Sequence, residues 1–472
     1  MLTTDAAIAA NRFGYGARPG DLARLGTHAR DSLSQQLDGG APLLTDRALP
    51  ASRDLLARAE ELREQVADAK ADASPPAGGA PDAQTAQLAK LGKLLRDTYL
   101  PAYAADVAAR AHAAIGGERD FLERLVQFWS NHFAVSVDKI VVLGLPGTLE
   151  REAIRPHVLG SFTDMLLAVE QHPAMLLYLD NQQSIGPNSK AARAADRRGR
   201  ELGLNENLGR EILELHTLGV DAGYTQKDVR ALATMITGWS IGGGKGRTRG
   251  GEPGVFFFRE AFHEPGAAQL LGRRYAEDGV AQGMAGLRDL AVDPHTARHV
   301  STKLARHFVA DDPPAPLVDR MTRAWLDGRG NLPAVYRALL ASPEAWSTPL
   351  AKYKAPADYI YSTYRALALP FKDKAAGLRV FEQLGQRSFQ PGSPAGWPDR
   401  SPDWDGSSAL LQRLQWAREV GLQLGSTRDA GRLAADVLGP VLTADTRSAI
   451  ARAQDGAQAL TLLLAAPEFM RR

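Results

Sequence analysis

The chain has 472 residues, 44% hydrophobic and 23% charged, with 56 Lys and Arg against 54 Asp and Glu for a formal net charge of +2. That length supports a sizeable core, and the composition excludes a disordered or collagen-like chain. So even a charge balance gives no reason to expect nucleic acid or an anionic membrane as the main partner. There is no cysteine, which excludes disulfides, thiolate nucleophiles, iron–sulfur clusters and Cys-type zinc sites and leaves the redox compartment open. No apolar run approaches the ~18 residues of a spanning helix. Met1–Ile8 lacks a basic leader region, so no signal peptide is read.

In chain order, apolar stripes of helical period run through 51–70, 86–115, 148–172, 277–291, 295–310, 355–369 and 407–424. Phe121, Leu125, Phe128 and His132 mark another. Between the first two stripes, the Pro- and Gly-rich stretch 73–84 is expected to be a flexible loop. Residues 182–203, with Lys190, Arg193, Arg197, Arg198 and Arg200, read as a solvated loop. The stretch 242–275 is the one strand-like exception, where Val255-Phe-Phe-Phe and Leu270-Leu271 are candidates for a short hairpin. Residues 385–406 place Trp397, Trp404 and Phe389 among Pro and Gly, which suits either a core plug or a substrate lid. The expected fold is mainly α: one large multi-helix domain over 1–472, with a short β-hairpin excursion near 242–275.

Phosphate-cradling loops, the Gly-x-Ser-x-Gly elbow and His-Glu-x-x-His are all absent. The histidines carry more information. His132 ends its core stripe, and His172 ends a helix, with Pro173 stopping it. His216 sits among apolar neighbours. His263 lies in a turn. Asp293-Pro-His295 reads as a helix start, and His299 follows His295 at i+4 on one face. Imidazoles at that spacing suit a transition metal, although a lone His on an apolar face is usually a hydrogen-bonded core residue. In Asn205–Gly219, Glu211 and Glu214 share a face with Asn207 and Arg210, whereas His216 borders the apolar side.

Several stretches together resemble a bacterial family known as domain of unknown function 1800. They are Asn11-Arg-Phe-Gly-Tyr-Gly, Phe128-Trp-Ser-Asn-His-Phe, His172–Asn181, Asn205–Val220, Tyr224–Val229, Thr237-Gly-Trp, His295–Leu304 and Leu384-Gly-Gln. They span nearly the whole chain in order. The resemblance implies a helical fold and no stated activity. It also implies a frequent gene neighbour, the domain of unknown function 1501 family, which is similar to alkaline phosphatases and sulfatases and carries a twin-arginine export signal. The chain is therefore expected in the cytoplasm, or in the periplasm by co-export with such a partner. Glu264 stands where the family is expected to prefer Asp.

The leading expectation is a metal-dependent oxidoreductase acting on an aromatic or peptide substrate. His132, His172, His216, His263, His295 and His299 would ligate copper, ahead of iron. Glu211 would accept a proton with Arg210 orienting it, and Trp397 and Trp404 would close over substrate. The alternative is a non-enzymatic scaffold for the phosphatase-like partner. A further reading is hydrolysis by Glu206, Glu211 and Glu214.

Overall fold

Helix starts follow local capping chemistry. In the computed structural model, which describes residues 2–45, 49–71, 81–199, 202–244, 250–371 and 374–472, the Asp293 carboxylate accepts from His295 N at 2.8 Å to open Pro294–Phe308. Thr225 and Asp228 form a reciprocal capping box at Gln226–Met235. Ser161 accepts from Asp164 N at 3.1 Å to open Phe162–Glu170. The fold is mainly α. The long stripes appear as Ser52–Ala71, Pro81–Gly116, Asp120–His132, Val280–Ala291, Pro294–Phe308, Pro356–Ala366 and Ser407–Leu424. None of the described helices is long and apolar enough to cross a membrane.

Three expectations change. The 148–172 stripe is not one helix: a π-turn at Glu150–Ile154 and a 3-10 turn at Arg155–His157 precede Phe162–Glu170. Pro156 supplies no amide hydrogen there, so the α ladder stops. Within 182–203 a short helix forms at Lys190–Asp196, capped by Ser189; Arg200 lies outside the described residues. Of the 73–84 loop, 73–80 lie outside the described residues, and 81–84 already belong to the Pro81–Gly116 helix.

The β excursion is two small antiparallel pairs. Phe256–Phe258 pairs with Trp239–Ile241, in the register Trp239 to Phe258, rather than with the Leu270 segment. Ala268–Leu270 pairs with Arg273–Tyr275 across Leu271 and Gly272. Both turn residues have positive φ, 50° and 76°, as a two-residue type I′ hairpin demands. Residues 245–249, inside the expected excursion, lie outside the described residues.

One contiguous hydrophobic cluster runs from Ala6 to Met470. Segments far apart in sequence share it. Phe121 meets Phe308 at 5.6 Å and Phe133 meets His216 at 5.2 Å, ring centre to ring centre. Three helices therefore converge there: Asp120–His132, Pro294–Phe308 and the helix opening at Asn207. Charge is buried with them. Arg155 is fully buried and forms a fork onto Glu123 (2.8 and 2.9 Å) while its Nη2 also reaches Glu150 (2.8 Å).

Candidate acid–base site

The Asp120–His132 helix is two-faced. Its apolar stripe packs inward, while Arg124, Gln127 and Asn131 line a small cleft of about 100 Å³. His307, in the last turn of Pro294–Phe308, lines the same cleft, as do Asp358, Trp397, Asp399 and Arg472. His307 Nδ1 donates to Asp399 Oδ2 at 2.9 Å, and its Nε2 is buried without a hydrogen-bond partner. Burial lowers the His307 pKa although Asp399 pulls it up, so the imidazole is neutral at pH 7. Its second nitrogen then presents a lone pair, and the Asp399 bond fixes the tautomer.

Asp399 is itself held. Burial works to raise its pKa, but His307, Lys352 and Arg472 outweigh burial and keep the carboxyl far below the usual range. Lys352 Nζ also donates to the Asp399 carbonyl. Asp358 is the second fixed anion: burial is overcome by Arg124 and Arg472, which bring its pKa to about 2. Arg124 Nη1 lies 3.2 Å from Asp358 and Arg472 Nε 2.8 Å from it. Arg124 also donates from Nε to Gly14 O (2.9 Å) and covers the Tyr15 ring at 4.4 Å, yet its Nη2 has no partner.

The 385–406 segment is docked as the wall of this cleft. Trp397 N and O bond Asn131 Oδ1 and Nδ2 at 2.7 and 2.9 Å. Gly396, at φ 80°, lies so near that a Cβ there would stand 2.3 Å from Asn131 O. Trp397 faces the cleft. Trp404 does not: it is buried behind Trp397, 5.8 Å ring to ring, with Nε1 donating to Pro398 O.

The six expected histidines do not meet. His172 opens Pro173–Tyr178, so Pro173 starts a helix instead of stopping one. Its Nδ1 accepts from Ala174 N and its Nε2 faces Glu152, both at 3.1 Å, which occupies the whole ring. His263 Nδ1 is spent on Thr237 O at 3.0 Å. His295 is exposed beside Asp293, while His299, one turn on, is turned inward. Only His132, His216 and His299 are neighbours. His132 Nε2 donates to His216 O at 3.1 Å, and His216 Nδ1 bonds Glu170 at 2.8 Å. Burial and Lys303 push His132 far down and His299 to about 4. Among the described residues, no three His, Asp or Glu side chains stand in metal-holding geometry.

Glu211 and Arg210 are not a pair. Arg210 bonds Glu214 at 3.2 Å and approaches Glu206 at 3.6 Å, which ties up two of the three carboxylates of the hydrolytic reading. The α-helix widens to a π-turn at Ile212–His216. His216, at its end, is fully buried on the apolar side, against Phe133 and Glu170. Burial and Glu214 push the Glu211 carboxyl up while His216 pulls it down. Glu264 accepts from Asn188 N and Nδ2 at 2.8 and 2.6 Å, clamping a turn.

Sequence reasoning passed over His307, Asp399, Asp358, Arg124 and Arg472. A usable signal existed for His307, which lies at i+8 from His299 on one helix face. Nothing local joins it to Asp399, 92 residues on.

The chain belongs to the family described as "Protein of unknown function (DUF1800)", whose family model matches residues 8–471. No curated protein and no solved structure matches it.

Proposed function

We propose that this DUF1800 protein is a hydrolytic enzyme whose general base is His307. The observation that carries this is a partly buried, neutral imidazole in a cleft, with Nδ1–H held by Asp399 at 2.9 Å and a buried, unpartnered Nε2. Nε2 takes a proton from water as the water attacks, and returns it to the leaving group. Asp399 stays ionised, orients the ring and stabilises the imidazolium that forms. Trp397 covers the cleft beside it.

Hydrolysis of p-nitrophenyl acetate and p-nitrophenyl phosphate tests the reading. His307→Ala should cost about 10²–10⁴-fold in turnover with the helical circular-dichroism signal intact. Equal turnover in wild type and His307→Ala would sink it. A protein inert toward both esters, yet co-purifying with a phosphatase-like protein of the domain of unknown function 1501 family, would favour the scaffold reading.

A copper- or iron-dependent oxidoreductase is the second reading, now on a smaller residue set. His132, His216 and His299 each keep one buried ring nitrogen without a partner, and the other nitrogen of His132 and of His216 is fixed by an acceptor, as in ligating imidazoles. Their nitrogens would have to turn toward a common point. Stoichiometric copper or iron in protein purified without a histidine tag would move this reading ahead.

A further inference from the structure

We propose that the cleft takes a substrate bearing an oxyanion, a carboxylate or a phosphate, and that Arg124 binds that group beside His307, with Arg472 adding positive charge. This rests on the reading of the cleft as the hydrolytic site. It is carried by a buried guanidinium donor left without an acceptor in the cleft wall. Arg124 and Arg472 are both 1% exposed and both lean on Asp358, and Arg472 also reaches Asp399 at 3.6 Å. Asp399, the other carboxylate on the wall, is engaged by His307 and Lys352. The two guanidiniums crowd onto Asp358 and stand close enough to repel each other.

The hydrogen bonds point the same way. Arg124 has five N–H groups; Nε is used by Gly14 O and Nη1 by Asp358, while Nη2 is buried with no acceptor. A buried charged donor without an acceptor is costly. An oxyanion in the cleft supplies the missing acceptor and eases the repulsion between the two guanidiniums, and guanidinium geometry suits carboxylate and phosphate alike. Arg110, whose own partner Glu150 lies outside the cleft lining, adds a third guanidinium to the lining and covers the Phe389 ring at 4.7 Å. The anion would hold the substrate, and His307 would act on its scissile bond.

Trp397 gives a readout independent of activity. Sodium acetate and inorganic phosphate are titrated into the full chain at pH 7.5 and constant ionic strength, following tryptophan fluorescence. One of them is expected to give a saturable change that Trp397→Phe abolishes, and the stronger binder identifies the group. Arg124→Lys, which keeps the charge but loses the fork, should weaken that binding at least tenfold. If Arg124→Lys fails to fold, Arg110→Gln serves, with a smaller loss expected. A response that never saturates, or one unchanged in the arginine variant that folds, overturns the subsite. The two readings fail separately. Saturable binding with His307→Ala fully active removes the catalytic base and keeps the subsite. His307-dependent hydrolysis without saturable binding does the reverse.

Discussion

At Arg155, one residue decides whether two acids are tolerable inside the protein. Its guanidinium joins Glu123 and Glu150 with nothing exposed. Removing it leaves two carboxylates buried together, and breaking such a pair typically costs about 3–5 kcal/mol. Arg155→Ala should lose at least that much in a urea melt, whereas Arg337→Ala, an exposed partner of Asp38, should change stability by less than about 1 kcal/mol. Comparable losses in both would show that the buried fork is not special. The same reasoning applies to His307. Because Asp399 pulls its pKa upward, Asp399→Asn should lower it further. A nuclear magnetic resonance titration of histidine-labelled protein reads the shift, and an upward movement would contradict the geometry.

Among elements, the 385–406 wall separates two tryptophans that look equivalent in sequence. Trp404 is buried, and Trp404→Ala should cost about 3–5 kcal/mol through the cavity it leaves. Trp397 is partly buried on the cleft and should cost clearly less, so melting temperatures of the two variants order them. Equal losses would make the whole segment a core plug. Gly396→Ala tests the docking itself, since positive φ and the nearby Asn131 carbonyl both oppose a Cβ. A loss of about 1–3 kcal/mol is expected. At the π-turn Ile212–His216 the apolar face read from the sequence is kept. A wheel of 3.6 residues puts His216 with Leu208 and Ile212, and all three are fully buried.

Across the whole molecule, buried neutral imidazoles set the acid response. A histidine whose folded pKa lies below its unfolded value stays uncharged while the unfolded chain takes up protons. Its stabilisation is therefore complete above about pH 6.5 and is lost as pH falls toward the folded value. For His299, brought to about 4, the loss approaches ~3 kcal/mol at most, and His132 and His307 act in the same sense. Asp358, depressed to about 2, adds its own loss below about pH 4. Asp106 opposes this. Burial raises it to about 6, so the folded state binds its proton first as pH falls through that value. The sum predicts a marked drop in urea midpoint between pH 7 and 5. A flat profile across that window would mean that the histidines charge freely in the folded state.

Period and capping, which depend on neighbours within about four residues, were readable without coordinates. They supplied the mainly α fold, the long helices, the Asp293 cap and the aromatic segment at 385–406. Composition likewise excluded every thiolate chemistry. The site is another matter. His307 and Asp399 are 92 residues apart, and Arg124 and Arg472 meet at Asp358 from far ends of the chain. Burial and orientation decide which imidazole keeps a free nitrogen: His172 is consumed as a cap and a partner of Glu152, while His295 stays in solvent beside Asp293. Helical spacing fixes the face on which a side chain stands. Only the packing of one helix against another fixes what that face meets, and that lies in long-range contacts that no local pattern encodes.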